Sequence, residues 1–253
     1  QLFPYQRSNQ MSIAYGTLSV DTVASGYSLL VWLGTNENAG PAILVSKGGL
    51  PQQISDEGMT YVLDHLTHPE DSFGFLFKMD GHIMYMLTFR TDNLSFVYDF
   101  TVNKFFSMSD HNLDHFIAKK VTYFNGKYYF ISFEDAKLYE LNSQIYNYDG
   151  KEIPRIRIGK NVRLPNASRF IMSNANITIE QGVDTTIQRV ELSVSRNGGE
   201  SWGYTASKDL NSLGNRPNRL NFWQLGAAND AVLQWRFWSQ GRFVIIGGEL
   251  QVQ

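Results

Sequence analysis

No cysteine occurs among the 253 residues, which excludes a disulfide framework, a thiolate zinc site and a cysteine nucleophile. Charged side chains make up only 18% of the chain, and no block of five like charges appears. A polyanionic or polycationic tail is thereby excluded. No apolar run reaches the ~18 residues that a membrane-spanning helix needs, so no membrane span is expected. Helical periodicity is almost absent, and neither a His-Glu-x-x-His motif nor a Walker loop is found, so zincin and nucleotide chemistry lack an anchor. The first residue is Gln1, with neither a charged n-region nor an apolar h-region after it, so the chain is read as a piece of a longer protein.

What is abundant is apolar and aromatic: 43% hydrophobic residues, with Phe, Trp and Tyr at 14%, enough to build a core and to exclude intrinsic disorder. The formal net charge of −2 hides an asymmetry. Residues 1–150 carry nine basic and sixteen acidic side chains, whereas residues 151–253 carry thirteen and eight. All five histidines fall in the first part and four of the five tryptophans in the second. A domain boundary is therefore expected at Asp149-Gly150, giving domains 1–150 and 151–253.

Period-two alternation dominates and predicts an all-β protein. Tyr27–Leu33, Phe73–Lys78, Ile83–Phe89, Leu94–Phe100, Tyr128–Phe133 and Lys137–Leu141 are short aromatic or β-branched segments bounded by Gly, Asp or Asn. One short helix is expected over Ser55–Leu66, capped by Ser55, with Met59, Val62, Leu63 and Leu66 on one stripe. His65 and His68 fall at its C-terminal end, where a capping role suits imidazole. Met79-Asp80-Gly81-His82-Ile83-Met84-Tyr85 aligns with Phe124-Asn125-Gly126-Lys127-Tyr128-Tyr129-Phe130 at an offset of 45. Asp-Gly and Asn-Gly are strong two-residue hairpin signals, and each unit continues to a tyrosine-acid pair, Tyr98-Asp99 and Tyr139-Glu140. A unit of ~40–45 residues has the dimension of a β-propeller blade. Residues 1–150 hold about three, whereas closed propellers carry about four to eight, so an incomplete propeller is expected.

After Gly150 the strands lengthen. Val190, Leu192 and Val194 alternate with Arg189, Glu191 and Ser193, and Ala231, Leu233, Trp235 and Phe237 alternate with Val232, Gln234, Arg236 and Trp238. This predicts a small β-sandwich-like domain of about 100 residues.

Three constellations are candidates for function. His111 and His115 lie four apart, but Ser109–Asp114 is a poor helix former, so the two imidazoles do not share a helix face and no metal site is assigned. Arg155, Arg157, Lys160 and Arg163 belong to a basic cluster in which Arg155 and Arg157 share one strand face and Ile156 and Ile158 the other. That stripe reads as a DNA contact or as a subunit seam. Ser195-Arg196-Asn197-Gly198-Gly199-Glu200-Ser201-Trp202 resembles the Asp-box S-x-D-x-G-x-T-W, with Asn197 in the aspartate place and Ser201 in the threonine place. Ser195, Asn197, Gly199, Ser201 and Trp202 are expected to stabilise a turn rather than to catalyse.

The order of features carries a resemblance. Blade-like strands lead through Asp149-Gly150 to Ile153-Pro154-Arg155-Ile156-Arg157; the Asp-box-like hairpin then precedes Arg219-Leu220-Asn221-Phe222-Trp223-Gln224-Leu225-Gly226, and Val232–Ser239 and Phe243–Val252 close the chain. This layout resembles the C-terminal portion of the tail hub, or nozzle, proteins of short-tailed bacteriophages, also called packaged-DNA stabilisation proteins. The family's tract after Leu225-Gly226 usually contains arginines and here reads Ala227-Ala228-Asn229. The resemblance implies a non-enzymatic virion protein of the tail that forms a homo-oligomeric ring. Such a protein closes the head-tail channel below the portal and adaptor, retains packaged double-stranded DNA with at most weak direct contact, and docks other tail proteins. It implies no cofactor. The alternatives are a sialidase-like or other glycan-cleaving propeller, suggested by the aromatic content and the Asp-box-like hairpin, and a non-enzymatic glycan- or receptor-binding module.

Overall fold

The computed structural model describes residues 14–36, 38–181, 188–210, 217–239, 241 and 243–253. The chain folds as two compact units, one ending at Gln144 and the other beginning at Ile145.

Among the described residues the first unit holds three antiparallel sheets. In the first, β1 (Gly16–Thr17), β2 (Ala24–Gly26), β3 (Leu29–Asn36), β4 (Ala39–Ser46) and β5 (Gln52–Gln53) are arranged around the central pair β3–β4. The second is a meander of β6 (Phe73–Met79), β7 (His82–Phe89), β8 (Leu94–Asp99) and β9 (Lys104–Ser107). The third joins β10 (Ala118–Phe124), β11 (Lys127–Ser132) and β12 (Leu138–Leu141). The repeat seen in the sequence is structural. Asp80 and Gly81 (φ +50° and +88°) and Asn125 and Gly126 (φ +48° and +80°) turn the β6–β7 and β10–β11 hairpins, both central positions taking the positive φ that this tight turn demands. Tyr85 then pairs with Tyr98 as Phe130 pairs with Tyr139, and Met84 with Asp99 as Tyr129 with Glu140. The second and third sheets thus repeat one hairpin-plus-strand unit.

The three sheets adjoin through β6, which lies next to β2 on one side and next to β10 on the other. Side chains bind the blades together: the Tyr85 hydroxyl donates to the Thr22 carbonyl at 2.7 Å, and the Phe73 and Phe133 rings meet edge-on at 5.1 Å. Val31, Leu33, Ile43, Val45, Tyr85, Leu87 and Phe89 form the core, completed by Met59 and Leu63 of the helix α1 (Glu57–Asp64). The helix starts one turn position later than its sequence implies. Asp56, not Ser55, is the cap and accepts from the Met59 amide at 2.8 Å, because the Ser55 hydroxyl is already taken by the Ile43 amide. His65 Nδ1 lies 2.7 Å from the Tyr61 carbonyl, which closes the helix.

In the second unit the hairpin of β13 (Asn147–Tyr148) and β14 (Lys151–Glu152) has Asp149-Gly150 as its turn, so the compositional step falls on a turn within this unit. A four-stranded sheet follows the order β15 (Arg155–Ile158), β20 (Val232–Trp238), β17 (Gln188–Ser195), β18 (Tyr204–Leu210). A three-stranded sheet has β16 (Phe170–Gln181) between β19 (Pro217–Ala228) and β21 (Phe243–Val252). Their inner faces bury Val190, Leu192, Val194, Leu233 and Phe237 against Met172, Ala175, Ile177, Ile179 and Phe222, the packing of a β-sandwich. The outer face of the larger sheet is a polar ladder. Ser193 sits between Gln234 and Thr205, and the Arg189 guanidinium stacks 4.2 Å above Trp238.

Candidate functional site

The two lateral sides of the sandwich differ. Where β18 and β19 meet, the Tyr204 hydroxyl donates to the Trp223 carbonyl at 3.3 Å. Beside that seam Arg196 reaches from the β17–β18 turn to the other sheet, donating to the Leu225 carbonyl at 2.6 Å and the Ala227 carbonyl at 3.0 Å. On the opposite side β15 and β21 are both edge strands, each paired on one flank only among the described residues. Between them the core opens to solvent in two adjoining clefts of about 410 and 700 Å³.

The basic stripe sits at that opening, and its orientation is the reverse of an exposed outer stripe. Register pairs Arg155 with Phe237 and Arg157 with Trp235, whereas Ile156 and Ile158 pair with Arg236 and Gln234. Residues directly opposite one another share a sheet face, so the arginines lie on the core side and the isoleucines outside, 37% and 54% exposed. Long cationic side chains tolerate this position because β15 is at the margin, where stems lie on apolar surface and head groups reach water. Arg155 Nη1 donates to the Ser239 carbonyl at 3.3 Å, and the guanidinium lies 5.9 Å from the Tyr146 ring centre. Burial lowers its pKa from the usual arginine value, a shift that Tyr146 opposes. Arg157 and Lys160 line the larger cleft. Arg163 is exposed and follows Val162, which bridges to Ala231; it does not line either cleft.

The Asp-box-like hairpin is saturated with internal hydrogen bonds. The buried Ser195 hydroxyl accepts from the Gly199 amide at 2.9 Å and donates to Asn197 Oδ1 at 2.7 Å. Asn197 Oδ1 also accepts from the Ser201 amide at 3.0 Å, and Asn197 Nδ2 donates to the Ser201 hydroxyl at 2.9 Å. Gly198 and Gly199 take φ of +73° and +102°, and the half-buried Trp202 ring lies beside Gly199. Gly199-Glu200-Ser201-Trp202-Gly203 also spells Gly-x-Ser-x-Gly. It lies in a hairpin between two strands, not in the strand-to-helix elbow that exposes a nucleophile, and all five histidines belong to the other unit.

His111 and His115 lie in a turn closed by the Ser109–His115 bridge. Asp110 Oδ1 accepts from the Asn112 and Asp114 amides, and His115 sits between Asn93 Oδ1 at 2.6 Å and Glu134 Oε1 at 3.0 Å. No cluster of three metal-ligating residues occurs among the described residues. No helix among them is long and apolar enough to cross a membrane. The contact that sequence reasoning missed is that of Arg196, whose only signal was Gly226, a glycine at φ +88° beside the guanidinium.

Comparison with known proteins follows the same two-part division. A family model described as bacteriophage P22 Gp10, beta-propeller, matches residues 1–146, and one described as bacteriophage P22 Gp10, beta-sandwich, matches residues 160–253. No curated protein matches. Among solved structures, the chain is similar to a glycoside hydrolase family 43 arabinoxylan arabinofuranohydrolase from Bacillus subtilis at 8% identity, covering 92% of this chain and 54% of that one with a TM-score of 0.29. It is also similar to an exo-beta-1,3-galactanase from Phanerochaete chrysosporium at 11% identity, covering 92% and 56%, with a TM-score of 0.20. The chain therefore spans about half the length of these structures, and likenesses this weak carry no functional argument. A propeller part and a sandwich part in this order, matched along nearly the whole chain, place it in one family: the chain belongs to the bacteriophage P22 Gp10 family of packaged-DNA stabilisation proteins, components of the virion tail.

Proposed function

We propose that this protein works by assembly rather than turnover: as a homo-oligomeric ring in the phage tail hub it closes the head-tail channel, holds packaged DNA behind it and carries other tail components. The observation that supports this most is the pair of family matches, propeller then sandwich, over both units. The division at residues 1–150 and 151–253 is part of the same reading. The hairpin from Ser195 to Trp202 acts as a structural turn, since its polar atoms bind one another.

Arg155, Arg157, Lys160 and Arg163 are the candidate contacts to DNA or to neighbouring subunits. The inward, part-buried setting of Arg155 favours a protein neighbour. A channel through which DNA slides is better served by few phosphate contacts, because each neutralised phosphate adds affinity that opposes ejection. Light scattering on the full-length protein, alone and with portal or adaptor rings, tests the reading. A ring or a stoichiometric complex is expected; monomer under all conditions overturns it.

A further inference from the structure

We propose that the open side of the sandwich receives an extended segment of another protein, one that presents aliphatic and acidic side chains together on one strand face and adds a strand to the edge of β21. The proposal rests on the reading that this protein works by docking, and it names the surface and the chemistry of what docks.

Three observations carry it. Among the described residues β21 pairs only with β16, which makes it a 10-residue edge strand, with Val244, Ile245 and Ile246 exposed at 39%, 41% and 55%. Proteins that leave an edge in water keep it short, charged or covered, so a long aliphatic edge belongs to a surface that is covered in use. The second observation is the hollow. Ile245, Gly248 and Leu250 lie on the inner face of β21, as their register with Ile179, Ile177 and Ala175 requires. Gly248 offers no side chain there, and Leu233, Trp235 and Phe237 are left as the floor of the cleft of about 700 Å³. The third is charge. Arg157 and Lys160 line the cleft, and among the described residues neither has an ion-pair partner. The acid that lines it, Glu249, is engaged by Arg219 at 2.9 Å and by Asn176 at 3.2 Å.

An added strand uses these features together. Its backbone pairs with the flank of β21 that is unpaired among the described residues, and its inward face carries both kinds of side chain: aliphatic ones fill the hollow over Trp235 and Phe237, and carboxylates on that same face reach Arg157 and Lys160 in the cleft lining. A basic segment of the same pattern meets like charge and is rejected.

The test measures binding of two fluorescent peptides of about ten residues to the 253-residue chain by anisotropy, identical in their valines and differing only at charged positions on the same strand face as those valines, aspartate in one and lysine in the other. The acidic peptide is expected to bind at least about tenfold more tightly and to weaken as salt rises. The double variant Arg157→Glu/Lys160→Glu is expected to reverse that preference. Ile245→Glu, which places a carboxylate on the rim, is expected to weaken the acidic peptide about tenfold with the circular dichroism spectrum unchanged. Equal affinity for both peptides, or binding of neither, overturns the proposal. So does a change in oligomeric state on cleft substitution with peptide affinity unaltered, which assigns the cleft to a second copy of the chain. Failure of the peptides leaves the ring measurement above untouched, so the two readings fail separately.

Discussion

Arg196 and Leu225 are joined by a 2.6 Å hydrogen bond from the guanidinium of the β17–β18 turn to a carbonyl in the opposite sheet. With the second bond to Ala227, one side chain fastens the two layers beside the β18–β19 seam. Gly226 lies between the two carbonyls at φ +88°, and a Cβ there would come within 2.7 Å of the guanidinium.

Arg196→Ala is therefore expected to destabilise the sandwich by about 1–2 kcal/mol, less than buried charged hydrogen bonds contribute because the side chain is largely exposed. Gly226→Ala is expected to cost about 1–3 kcal/mol. The double variant is expected to cost less than the sum, since removing Arg196 also removes the clash. Urea unfolding followed by tryptophan fluorescence reads this, because four of the five tryptophans lie in residues 151–253.

Asn197→Ala strips the turn of an acceptor for the Ser201 amide and of a donor to its hydroxyl, with an expected cost of about 1–3 kcal/mol. Asn197→Asp keeps the acceptor, and the Ser201 hydroxyl rotates to donate, so a change within about 0.5 kcal/mol is expected. The same unfolding experiment distinguishes the two.

Hairpins and alternation were legible because they are local. Asp80-Gly81 and Asn125-Gly126 announce their turns through the backbone conformation that such dipeptides tolerate, and Val190, Leu192 and Val194 announce a buried face by their spacing. Alternation showed that Arg155 and Arg157 share a face, but not which face; only the pairing with Phe237 and Trp235 decides that. Ser55 looked like a cap because its competing partner, the Ile43 amide, comes from a strand twelve residues earlier. The Arg196 contact spans two sheets and has no local pattern at all.

Tyr85→Phe tests the union of the first two blades. The phenol is buried and donates to the Thr22 carbonyl at 2.7 Å, and burial pushes its pKa far above the usual tyrosine value. Losing the donor leaves a buried carbonyl without that partner, for an expected loss of about 1–2 kcal/mol. Thermal unfolding followed by circular dichroism checks it.

Asp99 gives the first unit an acid-sensitive point. Burial alone would raise its pKa, but the Thr101 amide at 2.7 Å and His82 at 2.6 Å outweigh burial and hold the carboxyl below the usual aspartate value. A lowered folded-state pKa means the stabilisation is present above the unfolded-state value and is lost as pH falls through the folded one. The wild-type advantage over Asp99→Asn is expected to be greatest near neutrality and to shrink on acidification, as read from melting temperatures between about pH 7 and about pH 3. A constant difference across that range contradicts the assignment.

Genome retention by virions tests the central claim most directly. Particles assembled with the gene for this protein disrupted are expected to package DNA and then leak it to added nuclease, with protection restored when the full-length protein is supplied. Particles that lack the protein yet keep their DNA fully protected would contradict the account.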